Sequence, residues 1–286
     1  LQAKHKCFYP LPKVEGKVLK DKIRGKYMAK IGIVGLGLIG GSIFKDLTKL
    51  GYDVIGVSQS QAKKGEENIY SDYEKLSDRE LVFVCKEMSK TLSVLDELEN
   101  YLPPETVVCD VCSLKEFVSK KEYKYNFIPT HPMAGTEFSG WFASQEGLFK
   151  GAKWVITSDK KSELLEKLIK EMGADVVKTT PKEHDEAVAM ISHMPMVVAQ
   201  ALFKSVEGND LAKKLASSGF RDMTRLALSS VDMACDMVNM NAENIEKAVL
   251  KLYSSVGELT HGDYKTQISK IKADRDKMYS NGKNVL

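Results

Sequence analysis

The chain has 286 residues, 43% hydrophobic and 28% charged, which is typical of a folded globular protein and excludes fibrous and largely disordered classes. The formal charge of +3 is uneven, because the first 30 residues carry +7 and the remainder −4, so we expect no nucleic-acid binding by the folded body. Five scattered cysteines, no apolar run of bilayer length and no apolar N-terminal signal favour a cytoplasmic protein, with a plastid location left open, that has no disulfide framework and no membrane partner.

Residues 1–29 are predicted to be a flexible basic extension, because they contain prolines, glycines and many lysines but no sustained apolar period. Beyond them, short apolar segments alternate with helical patterns up to about residue 180, and only helical patterns follow. This order predicts an α/β domain with a Rossmann-type doubly wound sheet over residues 30–180, followed by an all-α domain over residues 181–286.

A glycine-rich turn follows the first predicted strand. Residues 30–35 form a β-branched run that leads into Gly-Leu-Gly-Leu-Ile-Gly-Gly and then into an amphipathic helix. In this setting Gly35 makes the tight turn, Gly37 lets a pyrophosphate approach the backbone, and Gly40 lets helix and strand pack closely. The phosphates are expected at the positive end of the helix. The predicted cofactor-binding residues of this turn are Gly35, Gly37, Leu38, Ile39 and Gly40.

The end of the second predicted strand, residues 52–57, indicates which nicotinamide cofactor binds. A carboxylate there would bind the ribose 2′-hydroxyl of NAD and repel the 2′-phosphate of NADP. The chain instead has hydroxyl, amide and lysine side chains and no carboxylate. NADP is therefore predicted, and NAD stays possible because the loop lacks an arginine, the better phosphate ligand. The predicted residues of this loop are Ser58, Gln59, Ser60 and Lys63.

The α/β pattern continues with further short strands separated by helical segments. Such alternation implies parallel pairing with right-handed crossovers. In these sheets ligands bind beyond the carboxyl ends of the strands, so polar residues at those ends are the first candidates for chemistry. The predicted strands are residues 81–85, 106–110, 127–131, 154–157 and 174–179, and the predicted helices are residues 91–102 and 162–172.

Two polar residues follow strand ends in this pattern. His131 ends the strand of residues 127–131, which Pro132 is predicted to stop because it has no backbone N–H. Ser113 follows the strand of residues 106–110, where it either faces the same crevice or caps a following helix. Taken alone, His131 fits both a general base and an ordinary half-buried histidine.

One cysteine pair invites a metal-site interpretation. Cys109 and Cys112 form a CxxC, but Cys109 lies inside an apolar strand pattern. No second pair or nearby histidine completes a zinc site, so no metal is predicted.

The helical part begins at Pro181, and its apolar period continues past Pro195, which should kink or loosen the helix. Two histidines lie on this mostly apolar stretch. His184 stands near the helix start, where a capping role would explain it, and His193 fits a packed core histidine.

A glycine-containing segment, residues 217–225, separates later helices. It holds two guanidinium groups, those of Arg221 and Arg225. Arginine suits bidentate carboxylate binding because its donors form a planar fork, although each of these residues equally fits a surface ion pair.

Five segments together resemble the prephenate and arogenate dehydrogenase family of tyrosine biosynthesis. They are GLGLIGG (35–41), DVCSLKE (110–116), THPMAGTE (130–137), EHDEAVAMISHMP (183–195) and ASSGFRDMTR (216–225). The resemblance implies a nicotinamide-binding Rossmann domain, a helical domain through which chains form homodimers, and an active site in the cleft between them. It implies oxidative decarboxylation of arogenate to tyrosine, or of prephenate to 4-hydroxyphenylpyruvate, with hydride transfer to NADP or NAD.

The resemblance also assigns roles to individual residues. His131 matches the family's catalytic histidine, and Ser113 matches the serine that orients it. Arg221 and Arg225 lie in the segment that contacts substrate carboxylates, and His193 matches the histidine of the SHxP segment. The other substrate-binding residues predicted within these motifs are Gly135, Thr136 and Ser217.

One departure from the family pattern bears on the substrate. In the SHxPH form of the segment a second histidine contributes to prephenate binding, and here Met196 takes that place. Because arogenate carries an ammonium that prephenate lacks, loss of a potential cation favours arogenate, with Glu137, Asp185 or Glu186 as candidate ammonium partners. The alternatives are a prephenate-preferring enzyme, another two-domain Rossmann dehydrogenase, and a nucleotide-sensing module without turnover.

Overall fold

The computed structural model describes residues 28–136 and 138–280, so the predicted basic extension lies largely outside the described residues. The described chain opens with strand β1 (Lys30–Val34), helix α1 (Leu38–Lys49) and strand β2 (Asp53–Val57). β1 lies between β2 and β4 (Leu81–Val84) and pairs with both in parallel. Its side chains are buried on both faces of the sheet, since Ile31 and Ile33 pack into one apolar cluster and Val34 into another, which explains why its sequence is continuously apolar rather than alternating.

The main sheet has six parallel strands, in the order β3 (Ile69–Tyr70), β2, β1, β4, β5 (Val107–Asp110) and β6 (Asn126–Phe127). This is the strand order of dinucleotide-binding Rossmann domains, and it confirms the predicted doubly wound sheet. The order reverses between β1 and β4, so a ligand crevice is expected beyond their carboxyl ends. The remaining helices of this layer are α2 (Gln59–Ala62) and α3 (Met88–Leu98).

The chain then leaves the main sheet and builds a second, three-stranded sheet. The predicted single strand of residues 127–131, ended by Pro132, was wrong. The segment divides into β6 and β7 (Thr130–Met133), and Pro132 lies inside β7 opposite Trp154. Proline is tolerated there because β7 is the edge strand of the small sheet. β7 runs antiparallel to β8, so this layer does not continue the parallel sheet. Its other strands are β8 (Lys153–Ile156) and β9 (Asp175–Lys178).

Apolar side chains fill both faces of the main sheet. On one face, β1 and β4 pack against α1, the small sheet and helix α4 (Glu163–Glu171). Trp154 of the small sheet is fully buried, and its ring meets Phe83 edge-on with 6.0 Å between centroids. Burial of one such ring contributes about 3 kcal/mol. The small sheet is thereby fixed to the main sheet, and β7 is fixed with it.

From Pro181 onward the described chain is helical, as predicted. Thr180 and Glu183 form a capping box around Pro181 at the start of α5. The predicted loosening near Pro195 is present as a π-helical turn, Ala189–His193, just before it, consistent with the N–H that proline lacks. The helices are α5 (Pro181–Val188), α6 (Met194–Ser205), α7 (Asp210–Leu215), α8 (Ser218–Met223), α9 (Val231–Met240), α10 (Ala242–His261) and α11 (Tyr264–Tyr279).

The helical stretch Pro181–Ser205 is long and apolar enough to cross a membrane, by length and composition. Its buried residues include His184, Asp185 and His193, and each of them hydrogen-bonds to a side chain or backbone group of another element. Polar groups that are satisfied inside the protein are typical of a core helix. We therefore interpret this stretch, of which 28% is buried, as a helix of the helical domain that packs against the α/β part, and we call it the core helix.

A third apolar cluster joins the two parts of the chain. Met88, Cys112 and Leu114 from the α/β part pack with Val188 and Met196 of the core helix, and Ala234 and Met237 of α9 complete the cluster. This contact brings the start of the core helix against the loop that follows β5.

Candidate active site

His131 is the second residue of β7, where this edge strand meets the core helix. Its side chain is partly exposed, and its Nδ1 atom lies 2.9 Å from the Nε2 atom of His184 in α5. The ring centroids are 5.1 Å apart, and the ring planes are nearly perpendicular, at 77°. His184 is only 3% exposed. The structure places His131 within β7 rather than at a strand end, and its ring contacts a second, buried histidine of the helical domain.

The buried carboxylate of Asp185 continues this chain of hydrogen bonds. Its Oδ1 atom lies 2.7 Å from Nδ1 of His184 and accepts from the backbone N–H of Lys115 at 2.8 Å. Its Oδ2 atom accepts from the backbone N–H of Glu116 at 2.9 Å. Three donors therefore satisfy one carboxylate. The predicted role of Asp185 as an ammonium partner was wrong, because the group is 3% exposed and both of its oxygens are engaged.

Lys115 fixes the strand that carries His131. Its ammonium is fully buried, pairs with the carboxylate of Asp110 at the end of β5, and donates to the carbonyl of Thr130 at 2.6 Å. Asp110 in turn accepts from the Thr130 N–H at 3.1 Å. Because Thr130 immediately precedes His131, these bonds hold the histidine at the carboxyl end of the main sheet, the same edge that carries the glycine turn.

The protonation state of His131 follows from these surroundings. Burial, followed in importance by His184, Lys115 and His193, holds the pKa of His131 well below its ordinary value of 6.5. The imidazole is therefore neutral at pH 7 and carries a lone pair that can accept a proton.

Ser113 lies in the loop between β5 and a short 3-10 turn at Val118–Lys120, partly exposed. The possibility that it caps a helix was wrong, since no helix begins beside it. In the described part of the chain it makes no hydrogen bond to His131, whose Nδ1 atom pairs with His184 instead. Its orienting role stays a prediction.

His193 is 1% exposed, which fits the packed core histidine that the sequence allowed. Its Nδ1 atom accepts from the Asn241 amide at 3.2 Å, and the same amide donates to the Asp185 carbonyl at 3.0 Å. Its Nε2 atom has no hydrogen-bond partner among the described residues. Burial lowers the pKa of His193 to about 4, so it too is neutral at pH 7. Its contact with substrate stays a prediction.

The residues proposed to distinguish the substrates have different surroundings. Met196 is buried in the apolar cluster between the two parts of the chain, at 4% exposure. Glu186 is exposed and lies 4.0 Å from Lys182. Glu137 lies outside the described residues.

The two predicted carboxylate ligands lie on the surface. Arg221, in α8, has an 80% exposed side chain and lies 3.4 Å from Asp222, and Arg225 is exposed at the start of a 3-10 turn. Within residues 28–136 and 138–280, neither guanidinium bonds to the His131 network. Ser217, Gly135 and Thr136 are also exposed, and the Thr136 hydroxyl accepts from the Phe138 N–H at 3.2 Å. Their substrate contacts stay predictions.

The glycine turn has the geometry that a dinucleotide requires. Gly35 has φ of +90°, and a Cβ there would lie 2.3 Å from the Cys85 carbonyl oxygen. A Cβ on Gly40 would lie 1.9 Å from the Gly35 oxygen, so both positions require glycine. A Cβ on Gly37 would meet nothing within 4 Å, which leaves open space before the start of α1. Leu38 and Ile39 begin that helix, whose N-terminus has no side-chain cap and no acidic residue.

The loop after β2 presents polar groups to solvent. Gln59 and Ser60, within α2, and the following Lys63 are exposed, and the Ser58 and Ser60 hydroxyls lie 3.3 Å apart. No carboxylate occurs from residue 58 to residue 64. The segment directly after β2 therefore lacks the carboxylate that would repel a 2′-phosphate.

The cysteine pair has no features of a reactive or metal-binding site. Cys109 and Cys112 are buried free thiols, and burial raises the pKa of both. Neutral thiols are poor nucleophiles and poor metal ligands.

The roles of four residues in the His131 network were not predicted from the sequence. His184 was interpreted as a helix cap and Asp185 as an ammonium ligand, and neither Lys115 nor Asn241 was singled out. A signal was present for the first pair, a polar His-Asp dipeptide on an otherwise apolar helix. No local signal marks Lys115 or Asn241, because their partners are distant in sequence.

Comparisons with known proteins agree with this architecture. The family model described as the nucleotide-binding domain of prephenate dehydrogenase matches residues 45–178, and the one described as its dimerization domain matches residues 180–268. A protein named prephenate dehydrogenase from Bacillus subtilis is 34% identical over 238 residues, 74% of this chain. The match covers 64% of that protein, so the chain spans less than two thirds of the relative's length.

Two solved structures have the same fold over almost their whole length. Arogenate dehydrogenase from Synechocystis is 31% identical, with a TM-score of 0.74 over 87% of this chain and 99% of that one. Prephenate dehydrogenase from A. aeolicus, in complex with hydroxyphenyl propionate and NAD+, is 25% identical, with a TM-score of 0.77 over 88% and 99%. The chain belongs to the prephenate and arogenate dehydrogenase family.

Proposed function

We propose that the chain catalyses the oxidative decarboxylation of a cyclohexadienol, arogenate or prephenate, with hydride transfer to a nicotinamide cofactor. The observation that carries the proposal is the position of His131. A neutral imidazole, fixed by buried hydrogen bonds, lies at the carboxyl edge of a Rossmann sheet and faces a helical domain. The names of the relatives supply the reaction class.

The glycine turn fits the cofactor's pyrophosphate. The open space at Gly37 and the uncapped N-terminus of α1 provide backbone N–H donors for phosphate oxygens. When bound, the nicotinamide supplies a hydride acceptor for C4 of the substrate. The side chains of the protein then have to accept a proton and bind the substrate's carboxylates.

His131 would act on the substrate's 4-hydroxyl. Its free nitrogen accepts the hydroxyl proton as hydride leaves C4, which gives a C4 carbonyl. The bond from C1 to its carboxylate then breaks, CO₂ departs, and the electron pair passes through the ring to the C4 oxygen. Protonated His131 can return its proton to the resulting phenolate. Arg221 and Arg225 would bind the substrate's carboxylates.

Arogenate is the substrate that we favour, and NADP the cofactor. The first choice is supported by Met196, an apolar side chain where prephenate-binding relatives of the SHxPH form carry a histidine. The second is supported by residues 58–64 after β2, which include hydroxyls and lysines but no carboxylate. Prephenate and NAD are the alternatives.

The helical domain would form a homodimer. The model that matches residues 180–268 is described as a dimerization domain. The later helices carry many exposed apolar side chains, which would be costly to leave in water. They include Val231, Met233, Val238, Met240, Leu250, Tyr253, Val256, Ile268 and Ile271. A cytoplasmic or plastid location stays a prediction.

The test combines each substrate with each cofactor and follows reduced nicotinamide. Arogenate with NADP should give the highest kcat/KM. His131→Asn should lower kcat by about 10²-fold or more and leave the dissociation constant for NADP within about twofold. Surviving turnover in this variant would show that another group is the base. Turnover of small hydroxy or imino acids alone would favour another two-domain dehydrogenase, and NADP binding without any turnover would favour a nucleotide sensor.

A further inference from the structure

Behind His131 lies a buried pair of side chains that the reaction itself does not use. We propose that His184 and Asp185 are positioning residues, which hold His131 in the tautomer and orientation that leave its Nε2 atom free to accept the substrate proton. This inference rests on the proposed function. It rests structurally on one continuous set of contacts between two domains.

The first step concerns Asp185. A carboxylate only accepts hydrogen bonds, so the 2.7 Å contact between its Oδ1 atom and the Nδ1 atom of His184 requires a proton on that nitrogen. The backbone N–H groups of Lys115 and Glu116 hold both carboxylate oxygens in place. Asp185 therefore selects the Nδ1–H form of His184.

The second step concerns the pair of imidazoles. Because Asp185 holds the proton of the His184 ring on Nδ1, we take the Nε2 atom of that ring as the acceptor of the 2.9 Å contact, to which Nδ1 of His131 donates. The Nε2 atom of His131 is then unprotonated. His131 retains partial exposure, whereas His184 is buried, so the free nitrogen belongs to the residue that a ligand can reach.

The third step follows the proton during turnover. When Nε2 of His131 takes the hydroxyl proton, the new cation keeps its Nδ1–H on the lone pair of His184. The Nδ1–H of His184 remains on the carboxylate of Asp185, so no proton needs to leave His131. The positive charge on His131 is stabilised by the dipole of the His184 ring, which the Asp185 carboxylate orients, as in other histidines held by a carboxylate.

The hydrogen-bonded set of His131, His184 and Asp185, here called the relay, exists only when the two domains are in contact. His131 belongs to β7 and the N–H donors at residues 115–116 follow β5, whereas His184 and Asp185 begin the core helix. The Asn241 amide, between α9 and α10, also donates to the Asp185 carbonyl. Proton acceptance is thereby coupled to the position of the helical domain.

A purely structural role for the pair predicts different measurements. If His184 and Asp185 only anchored the domains, either tautomer of His131 would serve, and loss of the pair would affect stability and substrate affinity rather than the chemical step. The tautomer of His131 and the separation of kcat from KM therefore decide between the two roles.

The tautomer can be measured in the wild-type protein without substrate. Nitrogen-15 NMR of protein labelled at histidine should show His131 protonated at Nδ1 and bare at Nε2, with its resonances assigned by their absence in His131→Asn. An Nε2–H tautomer would overturn the proposal. This measurement does not depend on dehydrogenase activity, so it also separates failure of the relay from failure of the proposed function.

Kinetics of two substitutions provide the second test. His184→Leu removes the acceptor and should lower kcat by about 10²-fold with KM for substrate changed less than about threefold. His184→Gln keeps an oxygen near the place of Nε2 and should recover at least tenfold of that loss. His261→Gln, on the exposed end of α10, is the matched control and should behave as wild type.

Three outcomes would contradict the relay. They are wild-type kcat in His184→Leu, equal losses in the leucine and glutamine variants, and a loss confined to KM. If His184→Leu does not fold, the glutamine variant and the wild-type tautomer still decide the question. If the wild-type protein turns over neither arogenate nor prephenate, the proposed function fails, and the NMR result alone tests the geometry.

Discussion

Gly40→Ala should chiefly lower stability, whereas Gly37→Ala should chiefly weaken cofactor binding, although the two glycines are three residues apart in one turn. A Cβ at position 40 would lie 1.9 Å from the Gly35 carbonyl oxygen and 2.9 Å from the Cys85 Cβ atom, far inside ordinary contact. No side-chain rotation relieves a clash with a backbone oxygen. A Cβ at position 37 would meet nothing within 4 Å.

The magnitudes follow from these distances. Overpacking costs about 1–3 kcal/mol, and the upper end applies at Gly40 because strand and helix must separate. Alanine's higher helix propensity offsets up to about 1 kcal/mol, so a net destabilisation of about 2 kcal/mol is expected. At Gly37, the N-cap of α1, alanine should cost only about 0.5 kcal/mol. Its methyl group would occupy the space predicted for the pyrophosphate and should weaken NADP binding by about tenfold or more.

The assay is urea denaturation followed by circular dichroism, together with fluorescence titration of NADP, on both variants and the wild type. Gly40→Ala should lower the free energy of unfolding clearly more than Gly37→Ala does. Gly37→Ala should bind NADP more weakly at nearly wild-type stability. The reasoning is refuted if Gly40→Ala is as stable as Gly37→Ala, or if Gly37→Ala binds the cofactor as the wild type does.

Three further predictions concern buried charge, pH and assembly. Lys115→Met leaves a buried carboxylate without its cation and should cost about 3–5 kcal/mol of unfolding free energy, whereas Lys121→Met, which removes an exposed ion pair, should cost less than about 1 kcal/mol. Between pH 6.5 and about 4, residue 193 binds a proton in the unfolded state but not in the folded state, so the free energy of unfolding should fall by up to about 3 kcal/mol as the pH is lowered. His193→Gln should remove that part of the pH dependence. An unchanged dependence of unfolding free energy on pH in this variant would contradict the prediction. Replacing exposed Leu250 and Tyr253 together with glutamate should shift the proposed dimer to monomer in sedimentation velocity, and an unaltered sedimentation coefficient would exclude this face.

Local sequence was enough to predict most elements of the α/β domain. Apolar runs and glycine or proline boundaries placed β1, β2, β4, β5 and β8 within one or two residues, because strands buried on both faces need continuous apolar sequence. The segment around Pro132 was the exception. Its strand belongs to another sheet, and only an edge position, which sequence does not display, makes a proline acceptable there.

The candidate site divides in the same way. Motif resemblance singled out His131, although the strand end predicted for it was wrong, and the glycine spacing singled out Gly35, Gly37 and Gly40, because each depends on residues close in sequence. Local sequence could not reveal the partners of His131, because these contacts join residues far apart in the chain. Asp185, for example, accepts from the N–H groups of Lys115 and Glu116, about 70 residues earlier.

The sequence by itself determined a Rossmann domain followed by helices, a nucleotide turn and a histidine at the sheet edge. Tertiary structure alone decided what surrounds that histidine. It buried the lysine at position 115 against Asp110, placed His184 behind His131, and turned Asp185 inward. The physical reason is that burial and hydrogen-bond partners depend on which elements pack together, and here the decisive contacts join a strand-end loop to a helix of the other domain.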